Sequence, residues 1–500
     1  MPLASEQKER PVPTDSQIAW FQYPFYYPAS THTKKINTIW LVCLYLIGVY
    51  LFSSFFNWGN IPLDFHDWKD ITAPRLTFQQ DAIMHGVLPL HISDKSTVGG
   101  VTDRYLTIPD LILSPQILFL GIMDIGDFSL FNLLLLYSVG FVGLVWIQKK
   151  YRLSPFTFTV AFLLFNFNGH ILSHLSIGHL TWCGYFLFSW FIYWVLAFFE
   201  GNRNWKWAAI MAWLLLVIFL QGSYHQFVWA LFFLGFIFLA HPLKNWPALS
   251  AMIFGGLLGM FRIWPVTLTA NHFESAFHGG YTGLLNLLNA LIKIQTPHTY
   301  FESPLLQKSL GWWEFSIYIG IIGLLFLAGF GIAGWWGNRK VMKPYNGLIF
   351  PILGVAILSF GPVFMLVRKI PFPLLSGERV SSRMMILPVL FLIMVAAINL
   401  QQWINSRRSV SGLVAVSGWV LLAGLCYSLW RNFEVWTVHN AYQAFSHETF
   451  KAFEWFTANR YDDWRYFMTL KRGAAVSVFS AFLLGAFVWN ENRREKLQKK

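Results

Sequence analysis

The sequence predicts an all-α polytopic membrane protein of about twelve transmembrane helices with a structured first outer loop, and three observations carry that prediction. Of 500 residues, 55% are hydrophobic and 19% aromatic while only 12% are charged, about half the charged share usual in a soluble domain. Apolar runs approaching the ~20 residues that cross a hydrocarbon core recur along the whole chain. Lysine and arginine concentrate in alternate loops, the pattern of the positive-inside rule. No stretch remains for a large soluble domain, and no fixed-period repeat or low-complexity linker divides the chain, so residues 1–500 read as one integral unit.

Residues 1–37 form a cytoplasmic or interfacial segment whose "AWFQYPFYYP" (19–28) is an aromatic anchor for the headgroup zone. No short apolar core with a small-residue cleavage site occurs in the first 30 residues, so a removable leader is not expected. Spans follow at 38–56, 128–147, 156–170, 180–199, 207–221, 225–240, 248–264, 316–336, 346–366, 384–400, 411–430 and 473–490. The run "IPDLILSPQILFLGI" (108–122) is short and broken by Pro115, and a span there would put "QKKYR" (148–152) outside; it is read as interfacial or re-entrant. With both termini cytoplasmic, "QKKYR", "GNRNWK", "NRKVMK", "NSRRS" and the basic tail 491–500 all lie inside. That side carries 20 of the 37 Lys and Arg but 6 of the 24 Asp and Glu.

The net charge of +13 therefore reports orientation in a cell inner or plasma membrane, and nucleic-acid binding is excluded as its explanation. Cys43, Cys183 and Cys426 all sit in apolar runs, which offers neither a disulfide framework nor a CxxC metal site. The remaining ionisable chemistry falls on the outer side, in the first outer loop 57–127, in 165–180, 265–315 and 367–383, and in the small loop 431–472.

In "PLDFHDWKDITAPR" (62–75), Asp64, Asp67 and Asp70 are spaced i, i+3, i+6, so a helical turn would set them on roughly one face. Crowded carboxylates raise one another's pKa, and one of them could serve as a base near neutral pH; a solvated acidic face is the competing reading. A divalent cation could be shared by the three, since hard ions take carboxylate oxygens. In "FNFNGHILSHLSIGHLTW" (165–182), His170 and His174 are four apart, with Asn168 before them and His179 after. Such spacing suits metal binding, sugar recognition or hydrogen-bonded histidines at a span end, and no HExxH or cysteine supports a metal. Together with His225 in "QGSYHQ" (221–226), these polar breaks would line one cavity. Arg379 and Arg383, one turn apart beside Glu378 and behind Pro371 and Pro373, could grip a phosphate or snorkel to the headgroups. Glu314 opens a later span and needs a cation such as Arg379 or Arg383 at that depth; His272, Glu274, His278 and Lys293 share its loop.

Taken together, these segments resemble the YfhO-like branch of the GT-C membrane glycosyltransferases. That family's first outer loop carries an Asp, a Pro some seven residues later, a Gly with Leu-Pro-Leu, and a Gly-Gly. Here stand Asp67, Pro74, "GVLPLH" (86–91) and Gly99–Gly100. Glu314 with Tyr318 and Gly320, Arg379 with Ser382 and Arg383, and the "NGH" and "GH" turns at 168–170 and 178–179 match further motifs. His91 stands where the family often has Trp, and Ser381 where it has Pro. The resemblance implies a GT-C-like bundle and transfer of a sugar from a polyprenyl-phosphate donor to a glycan or protein acceptor hydroxyl. Asp67 would be the general base, with Asp64 and Asp70 beside it, Arg379 and Arg383 would bind the donor phosphate, and membrane lipids would surround the bundle. A transporter or flippase is the rival reading and would show inverted repeats and charges buried within spans, neither of which the sequence shows; a non-catalytic scaffold is a third.

Overall fold

The computed structural model describes residues 19–93, 102–269, 279–302, 309–369, 377–407, 409–448 and 457–498. Gly99, Gly100, His272, Glu274, His278, Pro371 and Pro373 lie outside them. Helices begin where a small polar side chain can take up free N–H groups of the first turn. Ser30 accepts from the Thr33 N–H, Asp124 from Asp127, Ser154 from Thr157 with Pro155 at the first helical position, Asn204 from Trp207, and Ser411 from Val414.

Among the described residues, nine helices are long and apolar enough to cross a membrane, and the pair Trp246–Leu258 and Met260–Val266, bent by 74°, makes a tenth. The shorter apolar helices Trp205–Leu220 and Tyr224–Ala240 occupy the other two predicted positions. Residues 108–122 contribute only the 3-10 turn Pro115–Gly121, and a three-residue hairpin, Tyr300–Glu302 with Ser309–Gly311, is the only sheet among the described residues.

Apolarity on all sides places a helix in the centre. Pro155–Ser176 and Ser381–Ser406 are each 94% buried across their apolar windows, against 17% for the last helix, Trp464–Gln498. The first of these is broken at Phe167–Asn168, and its second half, Gly169–Ser176, restarts on an Asn168 cap that takes the N–H groups of His170 and Ile171. The freed backbone must find partners inside the protein. The Gly169 N–H donates to the Tyr318 carbonyl at 2.8 Å, and a Cβ on Gly169 would lie 2.6 Å from the Tyr318 nitrogen, so only glycine permits this approach.

Two polar ends result. At one, the loops "QKKYR", "GNRNWK" and "NRKVMK" meet: Lys150 pairs with Glu200 at 2.6 Å, and the Tyr151 and Tyr345 hydroxyls donate to the same carboxylate. At the other, the loops of the first, third, fourth and last outer segments converge. Phe65 pairs with His447 and Gly279 with Val380 as single β-bridges, and Asp463 joins Arg104 at 2.8 Å and His91 at 3.2 Å. One charge breaks the expected segregation. Arg262, inside the bent helix and 2% exposed, pairs with Asp110 at 2.8 Å and also donates to the Ile108 and Asp110 carbonyls. This hydrogen-bonded pair ties the first outer loop to the bundle.

Candidate functional site

The site forms where the Asp67 stretch lies on the turn after Ser176. His66 takes a left-handed backbone conformation (φ +41°), and Trp68–Thr72 then coils as a π-helical turn rather than with the 3.6-residue period that the aspartate spacing suggested. The three carboxylates accordingly diverge. Asp64 receives the Tyr442 hydroxyl at 3.5 Å, Asp70 is 67% exposed beside Lys69, and Asp67 turns inward. The shared cation site anticipated from Asp64, Asp67 and Asp70 does not fit this arrangement, and no metal-competent cluster of three His, Cys, Asp or Glu occurs among the described residues.

Asp67 is held from beneath. The Trp68 indole N–H donates to the Ser176 carbonyl at 3.1 Å and the Thr72 hydroxyl to that of Gly178. Gly178 (φ +107°) packs so closely that a Cβ would stand 2.4 Å from the Trp68 nitrogen and 2.8 Å from the Asp67 carbonyl carbon. This contact delivers His179, whose Nε2 lies 2.5 Å from Asp67 Oδ2, while its Nδ1 lies 2.8 Å from Nδ1 of His174. His66 Nδ1 approaches Asp67 Oδ1 at 3.6 Å. Burial acts to raise the Asp67 carboxyl, but the His179 hydrogen bond and the charges of His179, His66 and Arg383 outweigh it and hold the group below its ordinary 3.8. The crowding argument from sequence predicted a raised value; separation of the aspartates and the histidine partner reverse it.

The histidine segment is also deeper than a loop at a membrane mouth. His170 and His174 are buried, and the His174 ring stacks on Trp182 with centroids 3.8 Å apart. Trp182 carries the Arg383 guanidinium over its face at 5.2 Å and stacks with His225 at 5.9 Å. Arg383 meets Glu314 bidentately, Nε to Oε2 and Nη2 to Oε1 at 2.5 Å, and its Nη1 lies 3.5 Å from His225 Nε2. Glu314, expected among the cavity residues, is thus the partner that neutralises Arg383. His225 Nδ1 in turn reaches the buried Glu378 at 3.0 Å, which also accepts from the Trp229 indole at 2.9 Å. Burial would raise Glu378, yet His225, Arg383 and Trp229 hold it below its ordinary 4.5.

Arg379 lies just before this segment, within electrostatic reach of Asp67, Glu314 and Glu378, and burial with the Arg383 charge lowers its pKa. The structure therefore brings Asp67, His179, His174, His170, Asn168, His225, Glu314, Arg379 and Arg383 to one end of the bundle core and leaves Asp64 and Asp70 at its rim. Sequence reasoning missed Trp182, which joins the two halves, and the strained backbone at His66, and it noted Gly178 only as part of the "GH" turn rather than as a packing contact. Each stood inside a stretch already singled out, but an indole and a glycine carry no charge to draw attention.

No family model matches the chain, and no curated protein matches it. Among solved structures, the cryo-EM structure of arabinofuranosyltransferase AftD from Mycobacteria aligns with a TM-score of 0.47 and 14% identity, over 80% of this chain and 27% of that one. The present chain thus spans about a quarter of the length of that protein.

Proposed function

We propose that the chain is a membrane glycosyltransferase of GT-C type that moves a sugar from a polyprenyl-phosphate donor to an acceptor hydroxyl at the extracytoplasmic face. The observation that carries this reading is an inward-turned Asp67, kept ionised by His179, in one electrostatic neighbourhood with Arg383 and Arg379 at the end of the bundle opposite the basic loops. A carboxylate that is already deprotonated near neutral pH can take the proton of an acceptor hydroxyl as its oxygen attacks the anomeric carbon. The bond from that carbon to the donor phosphate oxygen breaks, and its electron pair goes to the phosphate. Arginines there offset the charge as it develops. Because Glu314 occupies one edge of Arg383, the phosphate would meet the Nη1 edge together with Arg379.

A transporter reading is weaker because the buried Arg262 is tied to the Asp110 carboxylate and to the Ile108 and Asp110 carbonyls of the first outer loop, which fixes the charge in place. The deciding experiment supplies membranes containing the protein with a panel of polyprenyl-phosphate sugars and follows release of polyprenyl phosphate. Wild type releases it, and Asp67→Asn at equal folded abundance loses at least about 100-fold, the scale of general-base catalysis. Full activity in Asp67→Asn would sink the assignment.

A further inference from the structure

We propose that His179 is the positioning residue of Asp67 and that His174 fixes the tautomer in which it works; this rests on Asp67 being the base proposed above. The geometry is a continuous chain from the rim into the core. Asp67 Oδ2 faces His179 Nε2 at 2.5 Å, and His179 Nδ1 faces His174 Nδ1 at 2.8 Å. A carboxylate only accepts, so His179 Nε2 carries a proton; with the His179 imidazole neutral, its single N–H is used there, Nδ1 is the acceptor and His174 Nδ1 the donor. His174 Nε2 is then left bare, and it is a buried nitrogen without a hydrogen-bond partner. The His174 ring cannot easily rotate out of this role because it stacks on Trp182 at an interplanar angle of 10°.

The chain aims one Asp67 oxygen at His179 and leaves Oδ1 toward His66, 3.6 Å away, as the edge that meets the acceptor. His179 therefore does for Asp67 what a buried carboxylate does for a catalytic histidine, with the two partners exchanged. The charged and titratable groups facing Asp67 are His66 from its own loop, His179 from the turn beneath, and Arg383 and Arg379 from the opposite segment, with Glu314 beyond them.

The test reads Asp67 directly, without requiring transfer. Isotope-edited infrared titration of the ¹³C-aspartate-labelled protein in lipid nanodiscs gives its carboxylate midpoint, with Asp67→Asn assigning the band. In His179→Ala the midpoint rises, because burial is left less opposed. In His179→Gln, whose amide can replace the lost N–H, it stays closer to wild type. His174→Phe keeps the stack on Trp182, removes Nδ1, and raises the midpoint by less than His179→Ala. The acid limb of the transfer pH profile moves up in the same order, and transfer by His179→Ala falls roughly 10- to 100-fold, the scale for losing a group that orients a reacting one. An unchanged midpoint in both His179→Ala and His174→Phe overturns the proposal. Should His179→Ala not fold, an unchanged midpoint in His174→Phe does so alone. A shifted midpoint together with full transfer by Asp67→Asn would instead uphold the hydrogen-bonded chain and remove Asp67 as the base.

Discussion

Gly178→Ala tests the packing that presents Asp67, and its cost can be worked from two separate features. At φ +107° an alanine backbone is strained by roughly 1–3 kcal/mol. The added Cβ also lands 2.4 Å from the Trp68 nitrogen and 2.8 Å from the Asp67 carbonyl carbon. Both are backbone atoms that cannot swing aside as a side chain tip would, so overpacking adds about 1–3 kcal/mol. Gly201 separates the two contributions, because its φ is +116° yet nothing stands within 4 Å of its Cβ position. Gly201→Ala should therefore show the backbone strain alone, and Gly178→Ala a clearly larger loss. Thermal unfolding of both variants in nanodiscs, followed in parallel with donor-dependent release of polyprenyl phosphate, checks this. If Gly178→Ala relieves the clash by pushing the Asp67 segment outward, a displacement near 1 Å lowers transfer by about 100-fold. Equal unfolding temperatures for the two variants, with transfer unchanged in Gly178→Ala, would refute the close approach.

Further outcomes follow from the buried charges. Glu314→Gln strips Arg383 of its bidentate partner and should destabilise by about 3–5 kcal/mol, with Glu314→Gln/Arg383→Gln recovering much of the loss; denaturation of single and double variants decides. Arg262→Met leaves Asp110 buried and unpaired, with a loss of the same order that Arg262→Met/Asp110→Leu should reduce, and limited proteolysis should then cut the first outer loop faster in the single variant. Acid lowers stability in two stages. Burial depresses His66 below 6.5 against the opposing pull of Asp67, so its contribution is complete above that value and lost as pH falls through the lower folded value. Asp67, depressed below 3.8, contributes above that value and loses its share at still lower pH. Unfolding temperatures across pH 7 to 3 should show both stages, with His66→Asn, which tolerates the left-handed conformation, flattening the first; a flat wild-type profile between pH 7 and 5 would contradict it.

How much of this was legible in the chain differs from element to element. The spans were readable because hydrocarbon thickness imposes a length and apolarity that composition alone reveals, and capping residues such as Ser154 and Asn204 mark starts that need no tertiary partner. The gathering of the ionisable loops at one end also followed from alternating loop charge. Even the choice of Glu314 as a partner for an arginine rested on a local argument, the cost of a lone carboxylate at that depth.

The misreadings share a physical cause. The i, i+3, i+6 spacing implies one face only if the backbone keeps an α-helical period, and contact with Gly178 together with the left-handed His66 imposes a π turn instead. The sign of the Asp67 shift depended on a histidine 112 positions away, and a pKa sums distances that no local window contains. Arg262 could not be distinguished from a snorkelling side chain until Asp110 was seen against it. The sequence by itself determined the all-helical membrane class and the approximate place of each apolar helix, since these depend on hydropathy and charge read residue by residue. Only the tertiary structure decided that Asp67 turns inward while Asp64 and Asp70 do not, because that choice is made by the close approach of two backbones at a glycine.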